Sequence, residues 1–331
     1  MNNWQEKAVL VTGAGGFIGS HLTERLARDG AQVRALVRYT SRHDRGFLAH
    51  LPEEQCARVR IIYGDIRDLK TVRDAVRGVQ YVFHLAASVS IPYSLQYPQA
   101  VVEANIGGTL NVLLSARDSD SIQRVVLTST SEVYGTARYV PIDETHPLQA
   151  QSPYAATKIA ADALGISFQH SFGTPVVLVR PFNAYGPRQS MRAVIPTIIV
   201  QALTRDQVML GALRPTRDFT YVIDTVDGFL RAAVATNAVG QVINLGSGQE
   251  ISIGDLAQRI VRLSERHIPI VQDPQRLRPV GSEVERLCAN SSLAQRLLEW
   301  QPEIPLDEGL RRTMSWIRTS LDLYCPDEYV V

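Results

Sequence analysis

The chain has 331 residues, 45% hydrophobic and 20% charged, with a formal net charge of +1. That length supports one large core or a core plus a smaller lobe, and the composition excludes a disordered chain. The near-neutral charge argues against nucleic acid or an anionic membrane as the main partner, and no apolar run approaches the roughly 20 residues of a membrane span.

The first strand begins too early to leave room for a signal peptide, so a cytoplasmic protein is expected. Cys56, Cys288 and Cys325 are far apart and match no metal-ligand spacing. They read as core or surface thiols of a reducing compartment, and no metal is expected.

In chain order, Ala8-Val9-Leu10-Val11-Thr12 is a buried strand followed by Gly13-Ala14-Gly15-Gly16-Phe17-Ile18-Gly19. A helix from about Phe17 to Arg28 stops at Asp29-Gly30. Glycines at a strand-to-helix turn let backbone approach a pyrophosphate, whose charge the helix N-terminus stabilises. Gly13, Gly16, Phe17, Ile18 and Gly19 are therefore candidate cofactor contacts.

The second strand, Gln32 to Val37, ends in Arg38-Tyr39-Thr40-Ser41-Arg42. An NAD site usually has an acidic residue here for the ribose 2′-hydroxyl, whereas arginine suits a 2′-phosphate. Arg38, Ser41 and Arg42 thus favour NADP, with NAD as the alternative. The third strand, Val59 to Tyr63, leads to Asp65 and Ile66 at the adenine edge, and an amphipathic segment spans Asp68 to Val76. The fourth, Tyr81 to Ala87, carries Leu85, Ala86 and Ala87 beside the cofactor. His84, inside that apolar run, reads as a hydrogen-bonded core residue and not a base. A loop from Ser88 to Pro98 precedes a long helix with Asn105 and the pair Gly107-Gly108, which permits close packing on the sheet. Asn105 is either a structural amide or part of a proton path.

The apolar run Arg124 to Leu127 is a strand buried on both faces, and Thr130, Ser131 and Glu132 follow where open α/β sheets place ligands. Ser152-Pro153 supplies an N-cap and an N1 proline for a helix on which Tyr154 and Lys158 share a face. A lysine beside a tyrosine favours the phenolate, which takes a proton from an alcohol while hydride leaves its carbon. A sixth strand, Pro175 to Val179, opens into Arg180-Pro181-Phe182-Asn183-Ala184-Tyr185-Gly186-Pro187-Arg188.

Strict alternation of strand and helix then ends. The remainder reads as a strand at Gln241 to Leu245, a helix at Ile253 to Ser264 and a proline-rich stretch from Pro269 to Pro305. The expected architecture is α/β: a Rossmann-type doubly wound parallel sheet over residues 1–180. A smaller C-terminal α/β substrate domain takes residues 181–331, with the chain free to cross back to the sheet. As a group, Arg214, Arg217, Arg278 and Arg286 suit a diphosphate.

With Gly13-x-x-Gly16-x-x-Gly19, Thr130-Ser131-Glu132 and Tyr154-x-x-x-Lys158 in order, the chain resembles the extended short-chain dehydrogenase/reductase family. More narrowly, it is similar to the nucleotide-sugar epimerases and 4,6-dehydratases. The likeness covers nearly the whole chain, including Arg217-Asp218-Phe219-Thr220-Tyr221-Val222. It implies that Arg217 meets the nucleotide diphosphate and Asn183 the sugar or its phosphates, with Ser88, Arg192 and Arg286 as further substrate contacts. It also implies a homodimer.

In this family the dehydratases add an acidic residue after the hydroxyl pair, here Glu132. The segments Thr130 to Ala137 and Gln151 to Tyr154 look closest to N-acetylglucosamine 4,6-dehydratases of the legionaminic-acid pathway, and Thr-Ser-Glu also resembles GDP-mannose 4,6-dehydratase. UDP-glucuronate decarboxylases share Thr-Ser-Glu-Val-Tyr-Gly but normally continue Asp-Pro, where this chain has Thr136-Ala137. The resemblance implies a nucleotide-sugar 4,6-dehydratase, with a 4-epimerase or a UDP-glucuronate decarboxylase as alternatives. A dinucleotide-binding regulator without chemistry would lack at least one of Thr130, Tyr154 and Lys158, and all three are present.

Overall fold

The computed structural model describes residues 4–277 and 279–324; Arg278 and Cys325 lie outside them. The expected strands form as β1 (Ala8–Thr12), β2 (Gln32–Arg38), β3 (Val59–Gly64), β4 (Tyr81–His84), β5 (Arg124–Thr128) and β6 (Val176–Pro181). All pair in parallel in the order β3-β2-β1-β4-β5-β6, and a seventh strand, Val242–Leu245, closes the far edge against β6. The strand order reverses between β1 and β4, which is where a doubly wound sheet opens a crevice for a ligand.

Alternation along the strands explains the two layers of helices. Val9 and Val11 face the cluster with Leu22, Leu26 and Phe229, whereas Leu10 faces Val72, Val112 and Phe168. All of these except Phe168 are essentially inaccessible, and burying each aliphatic side chain contributes about 2 kcal/mol. Helices Phe17–Arg28 and Val222–Val234 cover one face; Leu69–Val76, Gly108–Arg117 and Pro153–Phe172 cover the other. The smaller layer at the carboxyl end of the sheet holds a three-stranded sheet of Glu250–Ser252, Thr216–Tyr221 and Asn183–Tyr185.

Local chemistry departs from the expectation in three places. Strand β4 stops at His84, and Leu85 and Ala86 pass beside Gly13. The segment from Ser88 to Pro98 contains a helix, Ile91–Gln96, whose N-cap Ser90 accepts from the Tyr93 amide. The long helix is broken by a π turn at Glu103–Gly107, and Gly108 makes room for Ile66 and not for the sheet: a Cβ there would lie 2.4 Å from Ile66 Cδ1. The strand expected at Gln241 to Leu245 joins the main sheet beside β6, the crossing back that the expected architecture allowed. Among the described residues no helix is long and apolar enough to cross a membrane, and no three His, Cys, Asp or Glu side chains converge as a metal site.

Candidate active site

Beyond β5 the ladder lasts one more residue, the Ser129 amide donating to Val179 O at 2.8 Å. Thr130 is fully extended, and its Oγ1 accepts from the Glu132 amide at 3.2 Å, starting the short turn Ser131–Tyr134. That turn leaves Ser131 buried and Glu132 half-buried. Opposite it, Ser152 Oγ accepts from the Ala155 amide at 3.1 Å and caps the helix Pro153–Phe172, which carries Tyr154 on its first turn and Lys158 one turn later. The five residues Thr130, Ser131, Glu132, Tyr154 and Lys158 are thus gathered at the carboxyl end of β5.

Burial pushes the Tyr154 hydroxyl well above the usual phenol range; a hydrogen bond with Thr130 opposes this, and the negative charges of Glu132 and Asp162 add to it. Burial also lowers Lys158 to about 8, against the pull of Asp162. Lys158 Nζ donates to Thr128 O at 2.5 Å. Tyr154 is thus bonded to Thr130, and the lysine is turned toward the end of β5. The same burial explains both shifts, since a low-dielectric pocket disfavours either charge.

Beneath these residues lies a buried polar network that the motifs alone do not reveal. Asp162 Oδ2 accepts from Ser129 Oγ at 2.8 Å and from Arg180 Nε and Nη2 at 3.1 and 2.9 Å. Arg180 Nη1 donates to Tyr134 Oη at 2.9 Å, and Tyr134 donates to Asn244 Oδ1 at 2.7 Å. Asp162 follows Lys158 by one helical turn, and Arg180 interrupts an apolar strand; a charge placed on each buried face was the available signal. Asn105 is bonded on every side: it accepts from Ser88 N at 2.7 Å and donates to Ser88 O and Thr157 Oγ1. It thereby ties the chain after β4 to the Tyr154 helix, a structural amide. His84 is a core residue held between Thr12 and Thr109, and burial lowers it to about 3.

The glycine turn fits a dinucleotide. Gly13 has φ +70°, and a Cβ on it would come within 2.8 Å of Ala86 N, so turn and strand end touch backbone to backbone. Gly16 caps the helix at Phe17 with no side-chain hydrogen bond, leaving the helix N-terminus uncapped for a pyrophosphate. Phe17, Ile18 and Gly19 form the first turn, and Leu85 and Ala86 run beside Gly13. Arg38, Ser41 and Arg42 are exposed at the end of β2. Asp65 is gripped by Arg67, whose hydrogen bonds hold its carboxyl below the usual range, and Ile66 O accepts from Asn111.

The candidate substrate residues are less uniform. Arg217 is buried and donates to Glu283 at 3.2 Å, while the exposed Arg286 grips Glu250 through Nε and Nη2. Both arginines therefore face carboxylates. Asn183 Oδ1 is buried without a hydrogen-bond partner. Ser88 is half-buried beside Asn105, whereas Arg192 and Arg214 are exposed, Arg192 turning back onto Ser190. Asp218, next to Arg217, carries no sequence signal for its role: it is fully buried and collects the amides of Ser247, Gly248 and Ala289.

The family model described as GDP-mannose 4,6 dehydratase matches residues 10–313. The chain is 31% identical to UDP-glucuronic acid decarboxylase 1 of Xenopus tropicalis, over 98% of this chain and 75% of that protein. Among solved structures, the epimerase Mth375 of Methanothermobacter thermautotrophicus superposes with a TM-score of 0.88 at 32% identity, covering 97% of this chain and 94% of that one. The dTDP-glucose 4,6-dehydratase DesIV of Streptomyces venezuelae, solved with NAD bound, gives 0.87 at 28% identity, covering 96% and 99%.

Proposed function

The chain belongs to the extended short-chain dehydrogenase/reductase family of nucleotide-sugar dehydratases, epimerases and decarboxylases, and from that premise we propose that it is a nucleotide-sugar 4,6-dehydratase. Its product would be a nucleotide-linked 4-keto-6-deoxy sugar, the substrate a nucleotide-diphosphate N-acetylglucosamine. The observation that carries this reading is Glu132: a half-buried carboxylate, directly after the hydroxyl pair, close enough for its charge to act on Tyr154. Thr136-Ala137, where decarboxylases normally carry Asp-Pro, supports the dehydratase over the decarboxylase.

Gly13, Gly16, Phe17, Ile18, Gly19, Asp65, Ile66, Leu85, Ala86 and Ala87 would hold a nicotinamide dinucleotide, with Tyr154 and Lys158 at its reacting end. When bound, it supplies an acceptor for hydride from sugar C4 and a donor to C6. The residues of the chain handle the protons. Tyr154 removes the 4-hydroxyl proton once Lys158 carries charge, and Thr130 hydrogen-bonds the same oxygen. The 4-ketone acidifies C5–H, and Glu132 takes that proton as general base. The C6 hydroxyl leaves as water, helped by Ser131 or by the proton now on Glu132. Arg217, Arg286, Asn183, Ser88 and Arg192 are the proposed substrate contacts.

The test is product mass after incubation with a panel of nucleotide sugars. Loss of water is expected; loss of carbon dioxide marks a decarboxylase, and unchanged mass an epimerase. For the cofactor, the basic end of β2 supports NADP, with NAD the alternative. The expected result is tighter binding of NADP(H) than NAD(H), and Arg38→Ala should weaken NADP(H) selectively. Equal affinities in the wild type, measured by titration, would discard this preference.

A further inference from the structure

One side-chain amide joins the catalytic turn to the arginines of the smaller layer. Gln151 Oε1 accepts from the Thr136 amide at 2.5 Å, while its Nε2 donates to Gly281 O and Glu283 O, each at 3.3 Å. Thr136 Oγ1 accepts from the Glu285 amide at 3.2 Å, and the Ala137 amide donates to Arg286 O at 3.3 Å. The contact is close: Gly135 has φ +63°, and a Cβ there would fall 2.7 Å from Gln151 Oε1. The chain leaving Glu132 is thereby fastened to the segment whose Glu283 carboxylate sits on Arg217.

We propose that Gln151 is a positioning residue that couples the seating of the substrate diphosphate to the second chemical step, the one assigned to Glu132. This rests on the dehydratase reading above. A diphosphate reaching Arg217 displaces the Glu283 side chain. Any shift of residues 281–285 is then felt at Gln151 and, through it, at the turn that holds Glu132. The Gln151 side chain bonds Thr136, Gly281 and Glu283, whereas Tyr154 sits on a helix held by its own cap, Ser152. Loss of the Gln151 amide is therefore felt first in the segment that follows Glu132, and so in the elimination of water more than in the oxidation at C4. The Thr136-Ala137 pair gains a role as well: a proline at position 137 would have no amide to give to Arg286 O.

The experiment uses Gln151→Ala, which removes both arms, and Gln151→Glu, which keeps the acceptor for Thr136 and loses the donor to the two carbonyls. Melting temperature, the dissociation constant for UDP and GDP, the single-turnover rate of cofactor reduction and the steady-state rate of product formation are measured on each variant. Expected are an unchanged melting temperature, weaker nucleoside diphosphate binding and a first oxidation within about twofold of wild type. Product formation should fall about tenfold to a hundredfold, the scale of a small misplacement of a reacting group, so that reduced cofactor accumulates on the enzyme. Thr136→Val should show the same split more weakly. Equal loss of both steps, loss that tracks melting temperature, or no change overturns the coupling. A wild-type product that has not lost water overturns the dehydratase reading alone.

Discussion

Glu132→Gln should form a reduced cofactor on the enzyme at close to the wild-type rate and then stall before water is lost. Glutamine matches the size of glutamate and keeps a hydrogen-bonding end, but it cannot take the C5 proton. Removing a general base typically costs about 10²–10⁴-fold, and each tenfold is about 1.4 kcal/mol of barrier. In deuterated water the wild-type product should carry one deuterium at C5, and the variant almost none. Tyr154→Phe should instead block the first oxidation, leaving no reduced cofactor. Two results would remove Glu132 from the mechanism: near-normal turnover by the variant, or a wild-type product without label at C5. If Glu132 only packs at the end of β5, its variant should lose melting temperature in step with activity, so both are read on one sample.

The second large effect is expected beneath the site. Asp162→Ala leaves Arg180 buried, at 4% exposure, without its carboxylate. Breaking a buried pair from one side costs about 3–5 kcal/mol, whereas replacing both members with apolar residues of similar volume is often neutral. Asp162→Ala should therefore unfold at much lower denaturant, and Asp162→Leu with Arg180→Met should regain most of the loss. If the double replacement is no more stable than Asp162→Ala, the loss does not come from an unpaired charge. A milder change, Asp162→Asn, reports on the lysine. Burial has lowered Lys158 to about 8, and Asp162 pulls it upward; removing that pull moves its proton loss to lower pH. A lysine that must be charged is lost as pH rises, so the alkaline limb of kcat/KM should shift toward acid in Asp162→Asn. An unmoved limb would separate Asp162 from Lys158.

Much of this organisation was legible because local chemistry and tertiary position agreed. The β-branched apolar runs at Ala8–Thr12 and Arg124–Thr128 could satisfy their burial only as inner strands. Ser152-Pro153 announced a helix start one turn before Lys158. The helix at Ile91–Gln96 carried the same serine-and-proline signal and was hidden by its place in a polar stretch. Other features had no local trace. The π turn at Glu103–Gly107 arises where Asn105 must reach both Ser88 and Thr157. The carboxylates facing Arg217 and Arg286 come from residues 66 and 36 positions away. Partners at such separations are chosen by the folded chain, so an arginine motif reads as a free cation until the fold is known.

The strand Val242–Leu245 fills the edge of the main sheet beside β6, but the chain reaches it only after building part of the smaller layer. During synthesis, β6 must wait with its outer amides and carbonyls unpaired. At about 5–20 residues per second, that interval lasts on the order of ten seconds or less. An unpaired strand edge is a template for pairing with another chain, so the exposed β6 is where a nascent or truncated molecule is open to misassembly. Residues 1–180 and 181–331 consequently cannot be exchanged between relatives as separate modules, since the later segment donates a strand to the earlier one.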